Sequence, residues 1–417
     1  MRANGGFAGS YATVIARSEA TKQPPLLSFL PKPILEFSFQ DIYVPNGQLA
    51  GHVTPPEPIQ QAFGHGTWEL ANADWEPDFP TSATNIRWFL EKGKEINPDI
   101  LAIINLSTVK KILNQIGSFP VPEYDANLTP DNLYLFLQGK TETNFFPGST
   151  QKRDTLTAVG QALIKKTKSL PLTKRIQITH ILYTDLINQN IMIHSSNSSL
   201  QDVLGQKKLA GILSPEAFDT YSLIETNLGA NKANQFVTRQ TSHAISSVAE
   251  KSSSIHHIVT LHFINSSPAA NPNPPVHYGG NYITYLRFYI PLEAKNISLT
   301  RNPLSLPPLP SAPSSAELRT ENRELKSIYG LTELGFWHTT LAGGESTISL
   351  SYDLPLPTSC VITTQTSSDI GDLRSEISRC GYTLAILKQH GLISSQQSIN
   401  LFGKPFITDL RHSFYYP

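Results

Sequence analysis

Along the first half of the chain, apolar residues recur at the spacing of amphipathic helices. Along the second half, they alternate with polar ones. Ile86, Phe89 and Leu90 share one helical face within residues 81–93, and Gly93 supplies a C-terminal stop. Val109, Ile112, Leu113 and Ile116 follow Ser107, a candidate cap, and Gly117 ends that helix. Thr129-Pro130 reads as an N-cap with proline at the first helical position, continued over residues 133–137. Residues 153–168 and 174–188 predict two further helices with apolar faces, and residues 200–213 a shorter one. Between these lie runs of strand type at residues 11–15, 34–44, 99–105 and 191–194. The run at 99–105 is almost continuously apolar, the pattern of a strand covered on both faces. With the following helix and the Phe119-Pro120-Val121 edge, it suggests a βαβ-type unit.

From about Ala217 the texture changes. Short β-rich runs recur, as at 254–264, 282–291, 347–354 and 382–388, separated by Pro, Gly, Asn and Ser. This spacing predicts a β-sandwich. Residues 303–313 hold five prolines and read as a loop or linker, as do residues 18–33 and the Pro55, Pro56, Pro58 cluster. The expected fold class is α/β, a mixed sheet with covering helices over residues 1–215, followed by a β-sandwich domain over 216–417.

Charge narrows the function. There are 33 basic and 33 acidic residues, so no general electrostatic grip on nucleic acid is expected. Charged residues make up only 16%, and the polar, uncharged surface this leaves is common in extracytoplasmic proteins. Cys360 and Cys380 are the only cysteines; they could form one disulfide in an oxidising compartment, or be two unpaired thiols. No window is long and apolar enough for a membrane span, and no signal peptide is visible. The chain enters a glycine turn and an apolar run directly after Met1-Arg2. The expectation is that the natural protein extends upstream, with any membrane anchor located there.

The candidate chemistry gathers in W-E-L-A-N-A-D-W-E-P-D-F-P, residues 68–80, with the glycine turn at the start of the chain. Arg2 could fork two hydrogen bonds to a phosphate, with Gly5 and Gly6 offering backbone N–H groups to the same anion. The plain alternative is a charged terminus and a tight turn. Asp74 and Asp78 could hold Mg²⁺, although Asp78 before Phe79-Pro80 also fits N-cap chemistry. Trp68 and Trp75 could stack on sugar rings or on a polyprenyl chain, or pack as core residues. Arg87 could reach a phosphate or stay solvated. His256, His257 and His262 lie in one expected strand; His256 and His262 share a face, which reads as an ordinary strand surface. Serine-hydrolase elbows, zinc-protease motifs and phosphate-binding Walker loops are absent from the sequence.

Several segments together resemble a bacterial envelope family catalogued as domain of unknown function 4012. They are R-A-N-G-G-F-A-G-S-Y (2–11), N-A-D-W-E-P-D-F-P (72–80), P-D-I-L-A-I-I-N (98–105), E-T-N-L-G-A-N-K-A-N-Q-F-V (225–237), Y-L-R-F-Y-I-P (285–291) and L-K-Q-H-G (387–391). That resemblance implies an extracytoplasmic, cell-envelope location, usually behind an N-terminal membrane helix. More distantly, the α/β half looks like the LytR-CpsA-Psr proteins, which transfer lipid-linked glycopolymers through a phosphodiester. On that likeness the chain would bind a polyprenyl-pyrophosphate glycan or cell-wall polymer. Arg2, Gly5, Gly6, Asn72 and Arg87 would face the phosphates, Asp78 the metal, and Asp74 would take a proton from the acceptor hydroxyl. Asn4 stands where an aspartate is expected, and Ala71 where the family commonly has arginine. These departures speak for the alternative, a non-catalytic surface binding or scaffold protein with a degenerate α/β domain and a binding β-sandwich, while the retained carboxylate cluster speaks for the phosphotransferase-like reading, which is the leading expectation.

Overall fold

The computed structural model describes residues 14–17, 36–39, 43–133 (except 65 and 96), 136–137, 151–229, 231–247, 251–268, 279–302, 318–319, 325–356, 362–363, 382–390, 392, 396–409 and 413–416. Two compact units emerge. One comprises residues 10–54 and 67–210; the other includes residues 55–66 and 211–417. Arg2, Gly5, Gly6, Cys360, Cys380 and the proline-rich stretch at 303–313 lie outside the described residues. Among the described residues, no helix is long and apolar enough to cross a membrane.

The described elements up to residue 210 run in this order: β1 (Val14–Arg17), β2 (Glu36–Phe39), α1 (Tyr43–Gln48), α2 (Glu57–Phe63), α3 (Phe79–Lys92), β3 (Ile100–Ile104), α4 (Leu106–Ile116), β4 (Phe119–Val121), β5 (Ala126–Leu128), α5 (Gln151–Lys168), α6 (Leu172–Ile187), β6 (Ile191–Ser195) and α7 (Ser198–Gln206). Several expectations need correction. The strand expected at 34–44 stops at Phe39 and the chain is helical from Tyr43, with Pro45 tolerated in the first turn. The prolines at 56 and 58 start a helix, because Pro56 caps α2 and Pro58 sits in its first turn, where no N–H is needed.

The strand at 99–105 is not covered on both faces. β3 pairs antiparallel with β6, Leu101 opposite His194 and Ile103 opposite Met192. Leu101 and Met192 pack under Phe79 and Ala83 of α3, with Ile103 beside them. Ile100 and Ala102, on the other face of the pleat, are exposed. Nor do β3, α4 and β4 make a βαβ unit. β4 returns on β5 as an antiparallel hairpin, closed by a 3₁₀ turn and by Asp125 at φ 47°. The cap of α4 is Asn105 rather than Ser107, so that helix starts at Leu106, ahead of the expected cap. α7 starts after Asn197, whose side chain accepts from Leu200 N, and stops at Gln206 well short of 213.

Gly93 closes α3 as expected, but its φ of −78° is ordinary. Its reason is space: a Cβ there would lie 2.6 Å from Pro45 Cβ, so the glycine lets α1 approach the end of α3. α4 and α6 are joined by a buried polar knot. The Asp185 carboxylate accepts from Thr108 Oγ1 and Lys111 Nζ, both at 2.6 Å, and from Asn190 Nδ2 at 3.2 Å.

From residue 211 the unit is a two-sheet sandwich, built from β7 (Asp219–Asn227), β8 (Val237–Ser247), β9 (Lys251–Ser252), β10 (Ser254–Asn265), β11 (Tyr282–Pro291), β12 (Lys295–Asn302), β13 (Leu318–Arg319), β14 (Lys326–Ile328), β15 (Leu331–Thr340), β16 (Glu345–Pro355), β17 (Ile362–Thr363), β18 (Leu384–Leu387), β19 (Gln396–Leu401), β20 (Lys404–Asp409) and β21 (Phe414–Tyr416). One sheet has the order β13-β12-β16-β10-β8-β19-β20, the other β14-β15-β11-β7-β18-β21, and β9 and β17 form a small ribbon. Most pairs are antiparallel, but β19 runs parallel to β8, and β18 to β7. β10 and β16 alternate buried and less buried residues along their length, as a half-buried strand requires. The inward sets of both sheets form one core. Val259, Leu261, Phe263, Ile348, Leu350 and Tyr352 from one sheet meet Leu286, Phe288 and Phe336 from the other. A mixed α/β unit followed by a β-sandwich is therefore the architecture.

Candidate functional site

The stretch 68–80 enters α3. A 3₁₀ turn at Leu70–Asn72 is pinned by Asn46, whose Oδ1 accepts from Leu70 N at 2.8 Å. Trp68 donates from Nε1 to the Asn72 carbonyl at 2.9 Å and lies edge-on to Phe89, 5.4 Å between ring centroids. It packs with Leu70, Ala73, Phe89 and Leu90, so its ring is a wall of the core between α1 and α3. Trp75 is buried as well.

Asp78 caps α3. Its Oδ2 accepts from Thr81 N at 3.0 Å and from Thr81 Oγ1 at 2.7 Å, and the adjacent proline suits the first turn. Two donors on one oxygen account for the residue at this position without a ligand. Arg87, two turns on, donates from Nη1 to Asn97 Oδ1 at 3.1 Å and from Nη2 to the Asp99 carbonyl at 2.7 Å. That carbonyl also accepts from Ser196 N at 2.9 Å, so Arg87 helps clamp the entry of β3 to the exit of β6.

Between these two charges stands His194 of β6, a residue the sequence reading passed over. Burial lowers its pKa most, the Arg87 cation lowers it further and the Asp78 carboxylate opposes both, so it lies below the ordinary imidazole value. Its Nδ1 is buried and has no hydrogen-bond partner among the described residues, and the same holds for Asn72 Oδ1 and Arg87 Nε. The signal that could have found it is the pleat: Leu101, Ile103, Met192 and His194 share the face under α3, and a histidine interrupts that otherwise apolar row. Asp74 is partly buried, and burial lifts its pKa to about 6, opposed by a hydrogen bond from its own backbone.

Among the described residues, the donors around Asp78 do not by themselves make a magnesium site. Asp78 spends one oxygen on the cap, and the charge group that forms around His194 includes the Arg87 cation, which opposes a second one. Among the described residues, no three His, Cys, Asp or Glu side chains converge. The structure thus brings Asp78 and Arg87 to the α3–β6 face and leaves Asn72 and Asp74 in the loop that enters it. Arg2, Gly5 and Gly6 are outside the described residues.

A second polar cluster lies inside the sandwich. The Asp219 carboxylate accepts from the hydroxyls of Tyr352 and Tyr382, each at 2.8 Å, and its Oδ2 is 3.0 Å from His257 Nδ1. His257 Nε2 is 3.2 Å from His243 Nδ1, whose Nε2 is 2.9 Å from Gln397 Oε1. All of these side chains are buried. Burial drives the His243 pKa down to about 3, while the partners of Asp219 hold its carboxyl below the usual range despite burial. His256 and His262 face outward, as expected, toward Asp353 and Thr347. His257, between them, takes the inward phase of β10.

With this geometry in place, the chain can be set beside known proteins. Residues 1–141 match the profile of the family described as Protein of unknown function (DUF4012). Over that stretch the resemblance to DUF4012 is shown. The match takes in the 68–80 segment, α3, β3 and the β4–β5 hairpin, but not His194 or the sandwich. No curated protein matches the chain. Among solved structures, a protein from Legionella pneumophila, provisionally described as a nutrient binding protein, is 9% identical over 44% of this chain, with a TM-score of 0.23. The match spans 54% of that protein, about half its length, and similarity this low carries no argument about fold or function.

Proposed function

We propose that this chain is a non-catalytic, extracytoplasmic cell-envelope protein. Its β-sandwich binds a cell-wall or lipid-linked glycan, and its α/β unit acts as scaffold. The carrying observation is the use to which the candidate catalytic residues are put: Asp78 caps α3 through Oδ2 and Arg87 clamps the β3–β6 entry. Trp68 belongs to the core between α1 and α3 rather than to an open ligand wall. Ala71 and Asn4, where the related patterns have arginine and aspartate, point the same way.

One observation supports the second reading, a glycopolymer phosphotransferase of LytR-CpsA-Psr type. A carboxyl with a pKa near 6, as at Asp74, is suited to take a proton from an acceptor hydroxyl at neutral pH. A single experiment separates the two. The full chain is incubated with geranylgeranyl pyrophosphate and Mg²⁺, and in parallel titrated with soluble cell-wall polysaccharide by calorimetry. Polysaccharide binding that survives EDTA and Asp74→Asn, with the pyrophosphate left intact, is the expected result. Mg²⁺-dependent consumption of the pyrophosphate that Asp74→Asn abolishes would replace the scaffold reading with the transferase.

A further inference from the structure

α6 is apolar on two opposite faces. One face is occupied: Ile178 packs with Ile116 and Leu170, and Asp185 closes the knot with α4. The other is open. Leu172, Ile176, Tyr183 and Ile187 are 70, 60, 60 and 51% exposed. At 3.6 residues per turn, these four fall within about 60° of arc, one continuous stripe along the helix. A soluble helix normally presents charge there, and water gains nothing from this arrangement.

The charge around the stripe identifies what could cover it. Between Asp154 and Asp185 the chain carries Lys165, Lys166, Lys168, Lys174 and Arg175 and no acidic residue, in a protein whose formal net charge is zero. Lys165, Lys166 and Lys168 lie in the last turn of α5 and Lys174 and Arg175 in the first turn of α6, so the chain brings the basic cluster to the N-terminal end of the helix that carries the stripe. Arg175 fixes the turn between α5 and α6 by donating from Nε to the Leu170 carbonyl at 2.9 Å and from Nη2 to the Lys168 carbonyl at 3.1 Å. Lys165 and Lys168 are exposed. An apolar stripe with a basic cluster at one end fits a surface that is apolar below and anionic above. A bilayer with anionic headgroups has that layering, and lysines near such a surface add to the binding of the buried apolar face.

We infer that α6 and the α5–α6 turn form a peripheral docking face for an anionic lipid membrane, with the α6 stripe lying in the interface and the lysines on the headgroups. This inference does not depend on whether the α3 region is catalytic. The test is flotation of the full chain with vesicles of phosphatidylcholine alone and with a third of the lipid replaced by phosphatidylglycerol. Binding is expected only to the anionic vesicles and should weaken as NaCl rises from about 50 to about 500 mM. Ile176→Glu with Ile187→Glu should lower the affinity about tenfold or more. A separate triple variant, K165E with K166E and K168E, should weaken binding without touching the stripe. Ile176, Ile187, Lys165 and Lys168 are exposed and Lys166 is half-buried, and unchanged thermal melts would verify folding. If the double variant melts early, the lysine variant decides alone. Absence of binding to anionic vesicles at low salt overturns the proposal. So does binding that neither variant changes, and so does a stripe variant whose sole effect is to convert a dimer to a monomer, since a second copy would then be the occupant.

Discussion

At the scale of single residues, Asp78 and Asp74 lie four positions apart and answer to opposite physics. Asp78 is stabilised by its donors. Removing the acceptor by Asp78→Ala should cost about 1 kcal/mol, the usual worth of a helix N-cap, and Asp78→Asn should cost less, because asparagine caps nearly as well. Thermal denaturation of the two variants would show it; equal losses would mean the charge, rather than the cap, matters there. Asp74 is penalised by burial. Its pKa is near 6 in the folded protein against an ordinary 3.8, so the folded state binds the extra proton between those values. The group's contribution is complete below about pH 4 and is lost as pH rises through 6. Asp74→Asn should therefore stabilise the protein by about 1–2 kcal/mol at pH 8 and change little at pH 4. Urea midpoints at the two pH values make the comparison, and a destabilised Asn variant at pH 8 would argue that the ionised carboxylate has a partner in the fold.

At the scale of elements, α4, α6 and β6 meet at Asp185, which three donors from α4 and from the turn before β6 surround. Asp185→Ala takes the acceptor from Thr108 Oγ1 and Asn190 Nδ2 in the interior, while the half-exposed Lys111 keeps its water, so a loss of about 1–3 kcal/mol is expected. Gly93→Ala is a subtler probe. A methyl there meets Pro45 backbone and side chain, so a cost of about 1–3 kcal/mol is expected from overpacking α1 against α3. If Gly93 were only a helix stop, alanine at its φ of −78° would be tolerated. These positions also show where the sequence was readable. The helices with long apolar periods (α3, α4, α5, α6) are legible, as are β10 and β16, because burial on one side imprints a period, while β6 and β11 show instead as short apolar runs. α1 and α2 are not, since prolines that open a helix look the same in sequence as prolines in a loop. The number of covered faces on β3 was misjudged for a related reason: Ile100 is apolar yet exposed, and composition cannot separate the two. For the site, Asp78 as a cap was legible from Asp-Phe-Pro, while His194 was not, because only the β3–β6 register places it under α3.

At the scale of the whole molecule, the sandwich carries polar chemistry where its pattern promises a dry core, and this sets how its stability depends on pH. His243 lies between His257 and Gln397, and His338 beside Ser346 at 2.9 Å, all out of solvent. Burial is the main cause that lowers both pKa values from 6.5 to about 3. In the unfolded chain both rings protonate near 6.5; in the fold they stay neutral until about pH 3. Between those limits the unfolded state holds up to two more protons, so stability drops as the solution is acidified. The slope is about 1.4 kcal/mol per pH unit for each histidine, and it flattens below about pH 3. Asp219 adds to the loss at the acid end, because its carboxyl pKa is held below the ordinary value by His257, Tyr352 and Tyr382, and unfolding releases it to take up a proton. The full effect should be present above about pH 7. Hydrogen exchange of β10 and β16 amides at about pH 7, 5 and 4, corrected for intrinsic rates, reads the sandwich separately from the α/β unit. Protection should fall at each step, and His243→Gln should reduce the slope by about half if the substituted side chain keeps its bonds to the network. Protection that stays constant from about pH 7 to 4 would contradict neutral buried histidines. A slope unchanged in His243→Gln would assign the proton uptake to His338 and the carboxylates instead.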